Sequence, residues 1–190
     1  MSNSGTDALF NLLKTIAFEK KKVVLASGKE SNFYIDCRKV SLHPEGLVLC
    51  GKALYAHAKT LPVKWDGVGG PTLGADPLIA SFAYTAYQDG LPVPSFIVRK
   101  APKGHGTGKW VEGMSNMSEG TSVILLEDVV TTGGSTVKAI EVCRQEGLNP
   151  VHVICLVDRM EGGRGAIEAT GVTFSSLFTR EDFMGKDESE

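Results

Sequence analysis

The chain has 190 residues, of which 42% are hydrophobic and 22% are charged, and its formal net charge is −2. These values are ordinary for one globular domain with a substantial core, and the weak charge argues against a general nucleic-acid or membrane-surface binder. No stretch approaches the roughly 18 apolar residues of a membrane span, and the first residues lack a signal-peptide pattern. We therefore expect a cytoplasmic protein with one domain over residues 1–190 and a frayed tail at 186–190.

The first predicted elements are a helix, two short extended pieces and a second helix. Apolar residues recur at helical spacing over Asp7–Phe18, which predicts the first helix. Extended pieces are expected at Val23–Ala26 and Phe33–Cys37, on either side of the turn-prone residues 27–30. The second helix should cover Pro44–Thr60, because proline suits the first helical position.

From residue 65 onward, apolar strands alternate with helical segments. The predicted strands are Trp65–Val68, Ser95–Val98, Ser122–Leu126, Val151–Val157 and Val172–Phe178. The predicted helices are Pro77–Gln88, Gly134–Glu146 and Gly162–Thr170. This alternation predicts an α/β fold with a mostly parallel central sheet flanked by helices. Ligands of such sheets bind at the carboxyl ends of the strands, over which residues 1–40 would form a small hood.

The clearest functional signal follows the apolar run that begins at Ser122. The run ends in Glu127 and Asp128, and two acids at the end of a buried strand are costly unless they are used. A Thr-Thr-Gly-Gly-Ser-Thr turn at residues 131–136 then opens a helical pattern. Glycines bring backbone N–H groups close to a ligand, and a helix N-terminus favours phosphate. The acids are better placed to accept hydrogen bonds from ribose hydroxyls. The alternative is a plain strand-to-helix turn with hydroxyl caps and solvated acids.

A second group of charged residues follows the predicted strand that ends at Val98. Arg99 and Lys100 come next, and Lys103 and His105 stand in a glycine-rich stretch. Such cations suit an anionic leaving group, because they would neutralise its charge while water is excluded. Taken alone, however, the stretch slightly favours a solvated basic surface loop.

Residues 125–136 resemble the phosphoribosyl pyrophosphate (PRPP) signature of type I phosphoribosyltransferases. The resemblance implies that fold, with the 5-phosphate on residues 131–135 and the ribose hydroxyls on Glu127 and Asp128. The PRPP-binding residues it implies are Arg99, Lys100, Lys103, His105, Glu127, Asp128, Val129, Val130, Thr131, Thr132, Gly133, Gly134 and Ser135.

The stretch Arg-Lys-x-x-Lys-x-His at residues 99–105 resembles the catalytic loop of orotate phosphoribosyltransferases. In that family the loop cations grip pyrophosphate and the loop reaches into the partner subunit's site, which implies a homodimer. Residues 27–36 are similar to the family's orotate-side segment, and residues 68–77 to its pyrophosphate-side loop. Arg159 fits the position where the family sets an arginine against the substrate carboxylate, a pairing that suits a guanidinium fork. An ion pair with Asp158 or Glu161 is the alternative for this arginine.

The resemblance also implies orotate contacts from Tyr34, Ile35 and Thr131. The chain departs from its relatives at two places, since Ala26 and Gly74 stand where some of them carry lysine. Cationic help from those two positions is therefore not expected.

The activity implied is Mg²⁺-dependent transfer of ribosyl 5-phosphate from PRPP to orotate, which yields orotidine 5′-monophosphate and pyrophosphate in de novo pyrimidine synthesis. Lys103, on the leaving group, and Asp128, near the ribose, are the predicted catalytic residues. Mg²⁺ would be held mainly by substrate oxygens and water, so no dedicated protein metal site is expected. The rival functions are transfer to a purine base, which Arg159 disfavours, a nucleotide-sensing regulator, and a sugar-phosphate kinase or pyrophosphokinase.

Overall fold

The computed structural model describes residues 4–24, 30–102 and 109–185. Its strands are β1 Phe18–Glu19, β2 Val23–Val24, β3 Glu30–Ser31, β4 Tyr34–Ile35, β5 Gly67–Pro71, β6 Ser95–Val98, β7 Val111–Glu112, β8 Ser122–Val130, β9 Asn149–Asp158 and β10 Thr173–Thr179. Six of them form one sheet in the order β10-β9-β8-β5-β6-β7. Only the β6–β7 pair is antiparallel, so the mostly parallel sheet predicted from the sequence is confirmed.

Helices lie between the strands as the alternating pattern predicts. They are α1 Ser4–Leu12, α2 Arg38–Ser41, α3 Pro44–Ala58, α4 Asp76–Gln88, α5 Gly134–Gln145, α6 Gly163–Glu168 and α7 Arg180–Met184. The first helix begins at Ser4, three residues before the predicted start, and continues as a π-helix over Leu13–Ala17. Among the described residues, none of the helices combines the length and the apolar character that crossing a membrane requires.

The sheet separates two apolar layers, and alternate residues of β8 enter one or the other. Ile124 and Leu126 pack with α1, α3 and α4, whereas Val123 and Leu125 pack in the layer that contains α5. This division follows from the two-residue period of a strand. All four side chains are fully buried, and burying one such side chain contributes about 1.5–3 kcal/mol. The two layers therefore fix the sheet that carries the site.

The strand β8 is longer than predicted, and this is a correction that bears on the site. The predicted strand ends at Leu126, but pairing with β9 continues through Glu127 and Val129 to Val130. A parallel ladder is made by backbone groups, so it continues past charged side chains that the apolar pattern excludes. Glu127 and Asp128 therefore lie within the strand and not behind it.

The amino-terminal segment is held by pairing with itself and by aromatic packing. β1 pairs with β4, and β2 with β3, both antiparallel. Phe33, fully buried next to β4, lies with its ring centroid 5.2 Å from that of Phe18 and 5.9 Å from that of Phe183. The predicted turn falls mostly on residues 25–29, which lie outside the described residues. The aromatic contacts set the position of the segment that follows Phe33.

Candidate active site

A cavity of about 400 Å³ opens where β5 and β8 end. Its lining residues are Tyr34, Ile35, Asp36, Cys37, Arg38, Pro71, Thr72, Leu73, Gly74, Lys100, Glu127, Asp128, Val129 and Ser135. Four segments far apart in sequence therefore meet here: the amino-terminal segment, the loop after β5, Lys100 after β6, and the end of β8 with the start of α5. Of the predicted site residues, the cavity brings together both orotate-side residues of β4, one cation and four residues of the PRPP signature.

Glu127 is buried and bonded to the start of α5. Its Oε2 accepts hydrogen bonds from Thr136 Oγ1 at 2.9 Å and from Ser135 Oγ at 3.3 Å. Burial, and next the charge of Asp128, raises the pKa of the Glu127 carboxyl to about 8. Burial therefore favours the protonated form of this carboxyl group, and its hydrogen bonds tie the strand end to the predicted phosphate loop.

Asp128 faces the loop that follows β5. Its Oδ1 accepts the backbone N–H of Val129 at 2.9 Å, and burial raises its pKa while that bond and Arg38 oppose the rise. A Cβ atom at Gly74 would lie 2.4 Å from the Asp128 carboxyl group. The carboxylate thus fills the space that any side chain at position 74 would need.

The loop after β5 is joined to α4 at its first turn. Thr72 Oγ1 donates a hydrogen bond of 2.7 Å to Asp76 Oδ2, and the peptide bond between Thr72 and Leu73 is cis. These residues form the predicted pyrophosphate-side loop, and they place Gly74 against the end of β8.

The predicted phosphate loop turns sharply into α5. Gly133 adopts a φ of +79°, a backbone conformation that residues other than glycine rarely adopt. The helix α5 begins at the next residue. Thr131, Thr132 and Gly134 stand in the same turn, beside the lining residue Ser135. The N–H groups of the first helical turn have no carbonyl partner within the helix, which makes this end suitable for an anion.

Of the four cations predicted to bind PRPP, the structure describes two, and they lie in different surroundings. Lys100 lines the cavity, but Arg99 Nη1 is bonded to Glu112 Oε1 at 3.0 Å on the neighbouring strand β7. Arg99 is not a lining residue. Lys103 and His105 lie outside the described residues.

Arg38 is a lining cation that the sequence reasoning missed. Its Nε donates to Asp36 Oδ1 at 2.9 Å, and this bond is the main reason that the pKa of the Asp36 carboxyl is lowered. The signal available in the sequence was an acid and a base two residues apart, at the end of the predicted extended piece Phe33–Cys37. That local signal does not show that the pair lies in a site. The long-range pairing of β1 with β4 brings it there.

Arg159 lies at the edge of the amino-terminal segment and is almost fully buried. Its Nε donates to Glu161 Oε1 at 3.1 Å, and its Nη2 donates to the carbonyl of Phe33 at 3.3 Å. The guanidinium carbon also lies 5.5 Å from the centre of the Phe33 ring. The ion pair with Glu161 is thus present, while contact of Arg159 with a substrate carboxylate stays a prediction.

Known proteins that resemble this chain belong to the family that the PRPP signature indicates. Residues 40–173 match the family described as "Phosphoribosyl transferase domain". The orotate phosphoribosyltransferase of Sorangium cellulosum (strain So ce56) is 44% identical over 181 residues, which are 95% of this chain and 94% of the relative. That of Rhodopirellula baltica is 41% identical over 186 residues, covering 96% and 95% of the two chains.

A solved structure supports the same relationship. The orotate phosphoribosyltransferase of Mycobacterium tuberculosis H37Rv, described in complex with PRPP, superimposes with a TM-score of 0.75 at 31% identity. The match covers 94% of this chain and 98% of that one. With the fold, the cavity and these relatives in agreement, the chain belongs to the phosphoribosyl transferase domain family and, within it, to the orotate phosphoribosyltransferases.

Proposed function

We propose that this protein transfers the ribosyl 5-phosphate group of PRPP to orotate, with orotidine 5′-monophosphate and pyrophosphate as products, in de novo pyrimidine biosynthesis. One observation carries the proposal: the cavity joins the two acids of the PRPP signature to Tyr34 and Ile35 of the orotate-side segment. The protein is proposed to act in the cytoplasm as one catalytic domain over residues 1–190, with residues 1–40 as its hood.

In this proposal PRPP lies along the end of β8 and the start of α5. The 5-phosphate accepts hydrogen bonds from residues 131–135, where hydroxyls and helix N–H groups converge. Asp128, which borders the cavity, accepts bonds from the ribose hydroxyls, and Glu127 supports it from a buried position. Both ends of the ribose phosphate are then fixed before reaction, which supplies the orientation that catalysis needs.

The chemical step breaks the bond between ribose C1′ and the pyrophosphate oxygen and forms a bond from C1′ to the orotate ring nitrogen. That nitrogen carries a proton at neutral pH, which leaves as the new bond forms. The departing pyrophosphate or solvent can take this proton, so no strong protein base is required. The main demand is stabilisation of the departing pyrophosphate and of the oxocarbenium-like C1′. Lys100, Lys103 and His105 are proposed to meet the first demand and Asp128 the second.

Mg²⁺ fits this site as an ion carried by the substrate. Glu127 is occupied by two hydroxyl donors and Asp128 by a backbone N–H. In the part of the chain that the structure describes, no cluster of three or more ligand-type side chains could hold a metal. When bound, Mg²⁺ would neutralise charge on the diphosphate. The residues suited to it are Asp128 and the neighbouring backbone, acting through water.

The homodimer is supported by an apolar surface on α3 and α4. Val48 is 50% exposed and Tyr84 and Tyr87 are each 67% exposed. Val48 and Tyr84 border a hollow of about 300 Å³ together with Leu47 and Ala80. Exposed apolar patches of this kind mark interaction sites, and a second copy of the chain is the proposed occupant.

The activity is tested by mixing the protein with PRPP, Mg²⁺ and one acceptor at a time. We expect loss of orotate absorbance with release of pyrophosphate, and no consumption of adenine, guanine or hypoxanthine. Consumption of a purine base in place of orotate would contradict the assignment of the acceptor. Binding of PRPP without turnover of any acceptor would contradict the assignment as an enzyme.

Lys103→Ala tests the predicted role of the loop cation. Because Lys103 is proposed to act on the leaving group in the transition state, kcat should fall about 10²–10³-fold while PRPP affinity changes much less. Steady-state rates with orotate, and PRPP binding by calorimetry, measure both quantities. The matched control is Lys64→Ala, an exposed lysine before β5, which should behave as the wild type. A variant at position 103 with unchanged turnover would remove Lys103 from the mechanism.

A further inference from the structure

A short turn between β9 and α6 touches the two ends of the site at once. At its start, the N–H of Arg159 donates to the carbonyl of Val130 at 2.9 Å. At its end, the N–H of Gly163 donates to the carbonyl of Thr131 at 3.0 Å. The turn thus runs from the acceptor-side arginine to the predicted phosphate loop, and each of its ends is bonded to that loop or to the residue before it.

Gly163 approaches the phosphate loop more closely than any side chain would permit. A Cβ atom at this position would lie 2.3 Å from Val130 Cγ1 and 2.7 Å from the Thr131 carbonyl oxygen. On the opposite side of the contact, a Cβ at Gly133 would lie 2.9 Å from the Gly163 carbonyl oxygen. Gly163 therefore packs directly on the Val130 side chain and on the backbone of residues 131–133, with no side chain of its own between them.

The residues between these ends are restrained. Met160 adopts a φ of 58°, which is uncommon for a residue other than glycine, and its N–H donates to Asp158 Oδ1 at 2.8 Å. Asp158 is 2% exposed, and its Oδ2 lies 3.9 Å from Arg164 Nε. A turn held by a buried carboxylate in this way transmits displacement better than an unrestrained loop, because it has few alternative conformations.

We propose that Gly163 is a positioning residue that couples the phosphate loop to Arg159, so that a phosphate bound at one end strengthens recognition of the acceptor carboxylate at the other. The inference rests on the proposed function, since it takes Arg159 as the group that binds that carboxylate. It goes beyond that function in assigning the cooperation between the two ends to one glycine contact. Such a coupling is a property of binding free energies and is reciprocal.

Two nucleotides separate coupling from simple packing. Orotidine 5′-monophosphate carries both the phosphate and the carboxylate, whereas uridine 5′-monophosphate has the same phosphate and no carboxylate. The ratio of their dissociation constants measures how well the carboxylate is recognised when the phosphate is bound, and the same ratio for orotidine and uridine measures it without a phosphate. The factor by which the two ratios differ is the coupling. Calorimetric titration of the intact protein gives these constants for each variant.

Gly163→Ala should weaken uridine 5′-monophosphate binding about tenfold, because the added methyl displaces the loop. The preference for orotidine 5′-monophosphate should fall about fivefold in addition, while the preference for orotidine over uridine stays unchanged. The matched control is Gly165→Ala, in the same helix, where an added Cβ meets no atom within 4 Å. Gly165→Ala should keep both the wild-type affinity and the wild-type preference.

A Gly163→Ala protein whose preference equals that of the wild type would overturn the inference, because Gly163 would then only pack the loop. If that variant does not fold, Met160→Gly replaces it, since glycine adopts the same φ without restraining the turn; the preference should fall here too, and an unchanged one overturns the inference. A wild-type protein that binds both nucleotides equally would instead contradict Arg159 as the carboxylate ligand. The absence of product from PRPP and orotate would contradict the proposed function itself.

Discussion

At the scale of single residues, Glu127 illustrates how the fold sets the properties of an ordinary side chain. The ladder between β8 and β9 continues through this residue, so its carboxyl group is carried into the interior. Two hydroxyl donors from α5 satisfy Oε2, but they do not offset the loss of water around the charged form. The pKa of about 8 is the result.

The raised pKa of Glu127 makes the stability of the protein depend on pH. Between about pH 4.5 and 8 the folded state retains a proton that the unfolded chain releases, so the free energy of unfolding should fall as the pH rises through this range. The slope attributable to one such group is at most about 1.4 kcal/mol per pH unit. Glu127→Gln should remove it, as measured by urea unfolding at a series of pH values.

The control for this measurement is Glu141→Gln, an exposed glutamate on α5. It should keep the slope of the wild type. If Glu127→Gln also keeps that slope, Glu127 does not carry the proton in the folded state.

At the scale of elements, a chain of hydrogen bonds joins α3 to β9 and β10 at the edge opposite the site. Thr173 Oγ1 donates to the Val151 carbonyl at 3.1 Å, so His152 Nδ1, 2.6 Å away, must donate to Thr173. The neutral ring then accepts the Ser175 hydroxyl at Nε2, at 2.7 Å, and Ser175 Oγ accepts from His57 Nε2 at 2.8 Å. This assignment of donors and acceptors holds only while His152 is neutral, because a protonated ring would donate at Nε2 and could not accept from Ser175.

Burial, followed by the neighbouring His57, lowers the pKa of His152 to about 4. The stability that depends on the neutral ring is present above pH 6.5 and should be lost as the pH falls toward 4, since the unfolded chain binds the proton first. His152→Asn cannot take up this proton, so it should lose less stability than the wild type between pH 6.5 and 4.5 in urea unfolding. His43→Gln, at an exposed histidine before α3, serves as the control. Equal losses in the wild type and in His152→Asn would show that folding does not lower the pKa of this ring.

Local sequence signals predicted the elements that border the site. The features that they did not predict depend on pairing between residues far apart in the sequence. The Gly133-Gly134 pair ends a strand and begins a helix, so the start of α5 was predicted at the correct residue. β7 was not predicted, because it has two residues and exists through its pairing with β6. That pairing also brings Glu112 to Arg99. Arg99 is the residue for which the family resemblance implied a contact with PRPP. The capping box of Thr179 and Asp182 at α7 is, by contrast, a local signal that sequence reasoning overlooked.

At the scale of the whole molecule, the two faces of the sheet differ in what they present to solvent. The layer that contains α3 and α4 carries Val48, Tyr84 and Tyr87 on its outer surface. α5 belongs to the opposite layer, and its exposed residues include Glu141 and Gln145. A second copy of the chain is therefore expected on the first face.

Tyr84→Arg should weaken the proposed dimer about thirtyfold or more, because it places a charge at the centre of an apolar contact. Sedimentation velocity over a range of concentrations measures the change, and specific activity should fall as monomer forms if the catalytic loop is shared. Gln145→Arg adds the same charge to α5 and should leave the dimer intact. A wild-type protein that sediments as a monomer at all concentrations would contradict the dimer.

The contact between Gly74 and Asp128 restricts which sequences this site accepts. Because a Cβ at position 74 would fall 2.4 Å from the carboxyl group, any side chain there requires the Asp128 carboxyl group to turn away. A library randomised at position 74 alone should be enriched in glycine among the most active clones, because any other residue displaces the carboxyl group that is proposed to bind the ribose. Gly74→Lys as a single substitution should therefore lower activity by displacing the Asp128 carboxyl group. A redesign of the loop after β5 should therefore change residues of the loop and of the end of β8 together.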